Sequence, residues 1–259
     1  MLMKTVKGLV ISRRDVGEND CRIFILTAEH GVMDFYARGV RKLTAKNSSS
    51  TQLFAYSTFC LDEQKDKYYL NSSEPIRVFY ELRMDTKKYA LACYFVEVAQ
   101  YCVPAGQAAR ETMKLLLNSL HLLSEDLRSC AFLKSVFEMR FMSDVGLLPQ
   151  LIGCHECYQY FAEDEMYILI DRGWLLCGEH FREMGFEEDE DNIRINQTVL
   201  HTLRFICLVK HDRLFNFKIG EETQALVSEI TEKYMFRHLA REFKALNVYK
   251  YICEETNST

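Results

Sequence analysis

Three cysteines and one histidine form two closely spaced pairs in the middle of this 259-residue chain. Two residues separate Cys154 from Cys157, and after 19 further residues Cys177 and His180 repeat that spacing. Two residues between ligands let one tight turn direct both side chains at a single ion, and two such turns complete a tetrahedron. The spacing therefore predicts a zinc site with these four residues as its ligands.

Two alternatives stay open at this site: His155 as a ligand in place of His180, and reduced cysteines without metal. His155 lies inside the first pair, so His180 is the better candidate. Four protein ligands leave no position for an activated water, which is typical of a structural zinc. A zinc deaminase would pair P-C-x-x-C with an upstream H-x-E. Here Pro149 is too far from Cys154, and no H-x-E precedes it.

Periodicity predicts the elements that position these residues. Between the two pairs, a β-like run at 166–170, a turn at 171–173 and a second run at 174–176 predict a hairpin. In the first eighty residues, alternating apolar positions predict five short strands and a small antiparallel barrel, with Pro75 ending the block. The predicted strands cover residues 4–12, 21–27, 32–38, 53–61 and 67–71.

From about residue 85 the apolar spacing becomes helical. Predicted helices cover residues 89–99, 113–120, 128–145, 197–209 and 222–246. Gly146 and Pro149 follow the third of these helices and are typical stop signals. The sequence thus predicts a β module followed by a helical domain, which the cysteine-bearing hairpin interrupts.

Composition excludes several classes of protein. The chain is 48% hydrophobic and 27% charged, values typical of a soluble globular protein. No apolar run reaches the ~18 residues of a membrane span, and the first residues lack the apolar core of a signal peptide. We therefore expect no membrane association, and thiols that are reduced or bound to metal.

The net charge of −5 is unevenly distributed. Residues 154–191 carry −10, which leaves +5 for the remainder and +3 within the first eighty residues. No acid lies between Asp34 and Asp62, whereas Arg38, Arg41, Lys42 and Lys46 fall together there, and Arg13 and Arg14 end the first predicted strand. With aromatic residues nearby, this pattern suits sequence-independent binding of single-stranded nucleic acid better than base readout in a groove, and a merely solvated surface stays open as the alternative.

Nine short parts of the sequence follow one another in the same order and with the same spacing as in a known protein family. They are Gly8–Asp20, Thr27–Gly31, Ala37–Lys42, Phe137–Met142, Gly146–Pro149, Cys154–Cys157, Gly173–Cys177, Phe236–Leu239 and Leu246. Together they resemble the RecO family of bacterial recombination mediators across essentially the whole chain. One departure is His180, because the family's module often has four cysteines.

The resemblance implies an α+β multidomain protein. It places an OB-fold barrel in residues 1–80, a helical domain in 81–150 and 191–250, a zinc-binding insert in 151–190 and a C-terminal tail in 251–259. The basic positions that fit the family's DNA face are Arg38, Arg41 and Lys42, with Arg13, Arg14 and Lys46 as additions.

The resemblance also implies a function without catalysis. Such proteins bind single- and double-stranded DNA, anneal complementary strands, and work with RecR to load RecA onto DNA coated by single-strand-binding protein. Apolar grooves of the helical domain would receive the acidic, apolar tail of single-strand-binding protein. A cytoplasmic, nucleoid-associated location follows.

Two other functions stay open from the residues alone. A zinc-dependent nucleic-acid hydrolase would need clustered carboxylates or histidines at an open metal, but the seven histidines are scattered. There is also no P-loop and no nucleophile elbow. A zinc-ribbon adaptor that binds only protein would use the acidic run at 187–191 as its docking surface, a run that is otherwise a solvated loop.

Overall fold

The chain divides into two units, one of which is discontinuous in sequence. The first comprises Met1–Leu127 together with Phe243–Thr259, and the second comprises Arg128–Glu242. The computed structural model of the chain describes residues 2–42, 44–161 and 165–257, so Glu163 and Asp164 of the predicted acidic segment lie outside the described residues. Across those three ranges, no helix combines the length and the apolar character that crossing a membrane requires.

The described residues form strands, α-helices and one short 3-10 helix, Tyr80–Arg83. The strands are β1 (Leu2–Val16), β2 (Asp20–Thr27), β3 (Gly31–Ala37), β4 (Ala55–Gln64), β5 (Lys67–Val78), β6 (Met166–Leu169), β7 (Trp174–Cys177) and β8 (Asn192–Ile195). The helices are α1 (Thr86–Cys102), α2 (Arg110–Ser124), α3 (Cys130–Asp144), α4 (Gly178–Glu183), α5 (Gln197–Leu208), α6 (Glu221–Leu239) and α7 (Lys244–Asn257).

Strands β1 to β5 close into a barrel in the first unit. Their order around the barrel is β1-β2-β3-β5-β4. Neighbouring strands are antiparallel except β3 and β5, which meet in parallel at Tyr36 and Tyr69. This arrangement confirms the prediction of an α+β chain that begins with an OB-type barrel.

Alternation along β2 explains which side chains fill the barrel. Cys21, Ile23 and Ile25 are fully buried, whereas Arg22 and Phe24 between them are partly exposed. Successive side chains on a strand point to opposite faces, so one face of β2 lies in the core and the other faces outward. Each fully buried apolar side chain stabilises the barrel by about 1.5–3 kcal/mol.

Strand β5 is longer than the sequence predicts. It runs through Pro75 to Val78, so Pro75 does not end the strand block and that prediction is wrong. The pairing of β5 with β4 shifts by one residue between Tyr56 and Ser57, and Ser57 faces Pro75. A bulge of this kind accommodates a residue that has no N–H group to donate.

The C-terminal helical stretch consists of two helices instead of the single helix predicted over 222–246. Helix α6 ends at Leu239, and α7 begins at Lys244. Between them, Ala240 adopts a left-handed conformation with φ of 48°, which ends α6. No proline or glycine marks this break, and the apolar spacing therefore conceals it.

Helix α7 belongs to the first unit and packs on α1. It includes residues 251–257, which the resemblance places in a tail. The Glu97 carboxylate of α1 accepts hydrogen bonds from the N–H groups of Lys244 (3.3 Å) and Ala245 (3.0 Å). A carboxylate at this position satisfies the unpaired donors of a helix N-terminus and favours its dipole.

The second unit combines a small sheet with helices α3 to α6. The hairpin of β6 and β7 is the predicted one, and the short strand β8 adds to β6 to give an antiparallel sheet in the order β7-β6-β8. Helix α3 packs against α5 and α6, and its residues 132–142 are all buried. Its polar side chains therefore need partners, and Lys134 Nζ lies 2.9 Å from Glu138 Oε1 and 2.7 Å from Glu232 Oε2.

Candidate functional site

The four predicted ligands converge into one cluster in the second unit. One ligand atom from each of Cys154, Cys157, Cys177 and His180 lies within 4.8 Å of the other three. Cys177 Sγ is 3.1 Å from His180 Nδ1 and 4.0 Å from Cys157 Sγ. Cys154 Sγ is 3.8 Å from His180 Nδ1. Three thiols and one imidazole at these separations could hold a metal ion.

His155, the alternative ligand, has a different set of contacts. Its ring stacks on the Trp174 ring with centroids 3.8 Å apart, and its Nδ1 lies 2.8 Å from Gln150 Oε1. Its backbone N–H donates to Leu175 O at 2.7 Å, which fastens the first ligand turn to β7. The structure therefore brings His180, and not His155, into the cluster.

Backbone hydrogen bonds close the turn that carries the first ligand pair. Cys154 N–H donates to Gln159 O, and Tyr158 N–H donates to Cys154 O, each at 2.9 Å. Gly153 packs tightly against this backbone, and a Cβ atom there would lie 2.6 Å from Tyr158 O. The second pair spans the end of β7 and the first turn of α4, where Cys177 precedes the helix.

The two buried thiols of the cluster differ in acidity. Burial raises the pKa of Cys177 to about 11. Burial opposes ionisation of Cys154 as well, but backbone N–H groups of Cys157, Cys177 and Glu156 donate towards its sulfur and lower its pKa to about 7. Of these two thiols, Cys154 therefore offers a thiolate more readily at neutral pH.

Arg204 of α5 holds both sides of the first ligand turn. Its Nε donates to Leu151 O at 2.6 Å, and its Nη2 donates to Ile152 O at 3.0 Å and to Tyr160 O at 2.5 Å. The guanidinium also lies 3.8 Å from the centroid of the Tyr160 ring. Arg204 is buried, so these carbonyl groups replace water as acceptors for Nε and Nη2, whereas the buried Nη1 has no hydrogen-bond partner among the described residues.

The basic residues that follow β3 lie on an exposed loop beside the barrel. Asp20 Oδ1 accepts a hydrogen bond from Gly39 N–H at 2.7 Å, and Asn19 O accepts one from Arg41 N–H at 3.0 Å. These bonds hold the start of the loop against the β1–β2 turn. The exposed predicted residues of this loop are Arg38, Arg41, Lys42 and Lys46.

Arg13 and Arg14 are neighbours on β1 and therefore point to opposite faces of the strand. The Arg14 guanidinium lies 5.0 Å from the centroid of the Phe24 ring, on the outside of the barrel. Arg13 instead lines a groove that includes Leu53 and Tyr89. The structure thus places Arg14 of β1, but not Arg13, beside the outward side chains of β2.

Outward side chains of the barrel strands form a surface of cations and aromatic rings. The Arg22 guanidinium lies 5.2 Å from the Phe24 ring and 5.7 Å from the Tyr36 ring, and Lys67 Nζ lies 5.8 Å from the Tyr36 ring. At these distances a cation is attracted to the face of the ring. We name this surface the barrel face and define it by Arg14, Arg22, Phe24, Tyr36, Arg38, Lys67 and Tyr69.

Tyr36 and Tyr69 join β3 to β5 within the barrel face. Their rings stack with centroids 5.6 Å apart, and the Arg38 guanidinium lies 4.9 Å from the Tyr69 ring. The sequence alone did not single out Arg22, Lys67 and Tyr69, which the structure places on this surface. The available signal was the alternation of β2, which turns Arg22 outward between two buried residues.

A groove of about 760 Å³ lies in the first unit beside α1 and α7. Arg13 and Arg83 contribute cations to its lining, and Arg83 also donates to Leu53 O at 2.9 Å. An apolar wall with arginines beside it suits a peptide that carries both apolar and acidic side chains. The apolar lining includes Leu53, Tyr89, Ala90, Ala245, Val248 and Ile252.

Two family models match this chain almost from end to end. The one described as recombination protein O N terminal matches residues 1–79, and the one described as recombination protein O C terminal matches residues 83–247. The barrel face lies within the first match, and the metal-ligand cluster lies within the second.

Curated proteins named DNA repair protein RecO are similar over comparable lengths. The protein from Acetivibrio thermocellus is 29% identical over 243 residues, which cover 94% of each chain. The protein from Alkaliphilus metalliredigens is 27% identical over 253 residues, which cover 97% of this chain and 100% of that relative.

Proposed function

Because this chain belongs to the RecO family of DNA repair proteins, we propose that it binds DNA on the barrel face and anneals complementary single strands. The C-terminal family match alone covers more than half of the residues. In this role the protein is a recombination mediator that breaks no covalent bond, and we class it as a non-enzyme.

The observation that carries this function is the mixture of cations and aromatic rings on the barrel face. Guanidinium and ammonium groups bind the phosphates of a nucleic acid whatever its base sequence. The rings of Tyr36 and Tyr69 offer surfaces on which unstacked bases can lie. Double-stranded DNA would use the cations alone. We assign phosphate contacts to Arg14, Arg22, Arg38, Arg41, Lys42, Lys46 and Lys67.

Annealing follows from the way such a surface would hold a strand. Contacts to phosphates and to the flat face of a base leave the Watson–Crick edge exposed, so a second strand can pair with the bound one. Cations that neutralise phosphates also reduce the repulsion between the two strands. This step needs no nucleotide hydrolysis.

We propose that Cys154, Cys157, Cys177 and His180 hold a structural zinc ion. Three soft thiolates and one imidazole in a compact cluster are a ligand set typical of such sites. Bound there, zinc would supply a closed four-ligand cross-link and no reactive water. The cluster residues would then tie the first ligand turn to β7 and α4.

We further propose that the groove beside α1 and α7 receives the acidic, apolar tail of single-strand-binding protein. Its apolar wall suits the apolar side chains of the tail, and Arg13 and Arg83 suit the carboxylates. RecR as a direct partner, and RecA as an indirect one, follow from the family, and we assign them no surface. The proposed location is the bacterial cytoplasm, at the nucleoid.

The direct test is the binding of a short fluorescent single strand at several salt concentrations. Arg38→Glu combined with Lys67→Glu should weaken binding at low salt by about a hundredfold or more, because two charge-assisted contacts of roughly 1.5–3 kcal/mol each are lost. The slope of log affinity against log salt should fall by about 1.4, because two fewer phosphates are neutralised. Arg110→Glu reverses the charge of an exposed residue at the start of α2 that is not part of the barrel face, and it should have little effect. If Arg110→Glu weakens binding as much as the double variant, the barrel face is not the DNA site.

Adding a complementary strand distinguishes a strand-annealing mediator from the two alternative functions, a hydrolase and a protein-only adaptor. A mediator should produce duplex from two intact strands without nucleotide. Shortened strands would instead indicate a metal-dependent hydrolase, and a labelled strand that stays unbound would indicate a protein-only adaptor. Either of those results would contradict the proposed function.

A further inference from the structure

Two arginines of the proposed DNA surface are already paired with carboxylates. Arg22 Nε donates to Asp34 Oδ2 at 2.6 Å between β2 and β3. Arg41 Nη2 lies 3.4 Å from Asp15 Oδ2. The side chains of Arg22 and Asp34 are 40% and 34% exposed, so this pair is open to a ligand from solvent.

We propose that Asp34 and Asp15 are built-in counterions that compete with DNA phosphates for Arg22 and Arg41 and limit the affinity of the protein for a single strand. This inference rests on the proposed function, because it concerns the same surface. It adds a property that the cations alone do not imply: removal of an acidic residue should strengthen binding.

The position of Asp34 supports this role. Its Cα atom is paired with that of Phe24 across β2 and β3, within the barrel face. Asp34, Arg22, Tyr36 and Lys67 line a shared cavity of about 480 Å³. A phosphate that enters this cavity meets Arg22 with its Nε already donating to a carboxylate. It must displace Asp34, or share the guanidinium with it against the repulsion of like charges.

The fold has little need of these ion pairs. Exposed pairs of this kind contribute little to stability, and the backbone pairing of β2 with β3 holds Arg22 and Asp34 in register in any case. The carboxylates therefore act mainly on whatever binds the arginines. During annealing a bound strand must leave as duplex forms, and a limited affinity speeds that release.

The test compares Asp34→Asn with the natural protein in the single-strand binding assay. The substitution keeps the shape of the side chain and should tighten binding about fivefold at low salt, the effect of one unit charge about 4 Å from a phosphate in water. The salt slope should steepen by about 0.7 as Arg22 gains a phosphate. Asp15→Asn, on another strand, should act in the same direction.

Two controls isolate the effect of the pair. Glu74→Gln removes the same charge from β5, at a position paired with Thr58 of β4. It should give less than half of the gain in single-strand affinity that Asp34→Asn gives. Adding Arg22→Met to Asp34→Asn should remove the gain. If Asp34→Asn binds no tighter while Arg38→Glu with Lys67→Glu still weakens binding, the counterion inference is wrong and the proposed DNA surface stands. If the double charge reversal also has no effect, both are wrong.

Discussion

Replacing Arg204 with methionine should detach the first ligand turn from helix α5. The guanidinium donates to Leu151 O and Ile152 O before the turn and to Tyr160 O after it. Methionine fills a similar volume but offers no donor, so the three carbonyl groups would lose their partner. The turn that carries two of the proposed zinc ligands would then lose its link to the helix.

The expected loss is about 3 kcal/mol. Three hydrogen bonds from a charged donor contribute roughly 6 kcal/mol, and burial of the guanidinium cancels about half of that gain. The cost of burial is visible in the pKa of Arg204, which burial lowers from its ordinary value. For a unit of this size, a loss of 3 kcal/mol corresponds to a fall in Tm of roughly 10 °C.

Urea unfolding followed by tryptophan fluorescence measures this loss of stability in the second unit, which contains Arg204. Trp174 is the only tryptophan of the chain, and it lies on β7 against His155. Arg204→Lys keeps the charge but concentrates its donors on one nitrogen, so it should lose about half as much stability. An unfolding midpoint that Arg204→Met leaves unchanged would refute the role assigned to this residue.

Four further perturbations have expected outcomes. Cys157→Ala removes a ligand and should abolish bound zinc in metal analysis; unchanged zinc content would rule out the four-ligand site. Lys134→Met leaves two carboxylates without their buried cation and should destabilise the second unit by about 3–5 kcal/mol in urea unfolding. Burial raises the pKa of Glu138, so the contribution of Glu138 to stability should be fully present below the ordinary glutamate pKa and should be lost as pH rises through the raised pKa. Glu138→Gln should flatten that pH dependence, and a profile identical to that of the natural protein would contradict this reasoning. Glu97→Ala removes the acceptor at the start of α7 and should cost the first unit about 1 kcal/mol in thermal unfolding, whereas Glu97→Gln should recover part of that loss.

The metal-ligand cluster is predictable from sequence because its ligands form local pairs. Two intervening residues place Cys154 beside Cys157, and the same spacing joins Cys177 to His180. The contribution of Arg204 is not predictable in this way. It binds backbone carbonyl groups, which every residue carries, and its partners lie far away in sequence.

The barrel is predictable from alternation, but its outer surface is only partly so. Alternation turns Arg22 outward, yet the contact of Tyr36 with Tyr69 depends on closure between β3 and β5, which no local pattern indicates. The two adjacent arginines of β1 illustrate the same limit. They are neighbours in sequence, but the alternation of a strand points Arg13 and Arg14 to opposite faces. The break at Ala240 is hidden for a related reason: a single left-handed residue ends a helix without changing the apolar period.

Annealing of two complementary oligonucleotides, one carrying a donor fluorophore and the other an acceptor, tests the proposed function most directly. Without any nucleotide cofactor, the natural protein should raise the rate at which energy transfer appears above the protein-free rate. Arg38→Glu with Lys67→Glu should return that rate to the protein-free value, and Arg110→Glu should retain the acceleration. Equal rates with and without the natural protein, or full acceleration by the double charge-reversal variant, would contradict strand annealing on the barrel face.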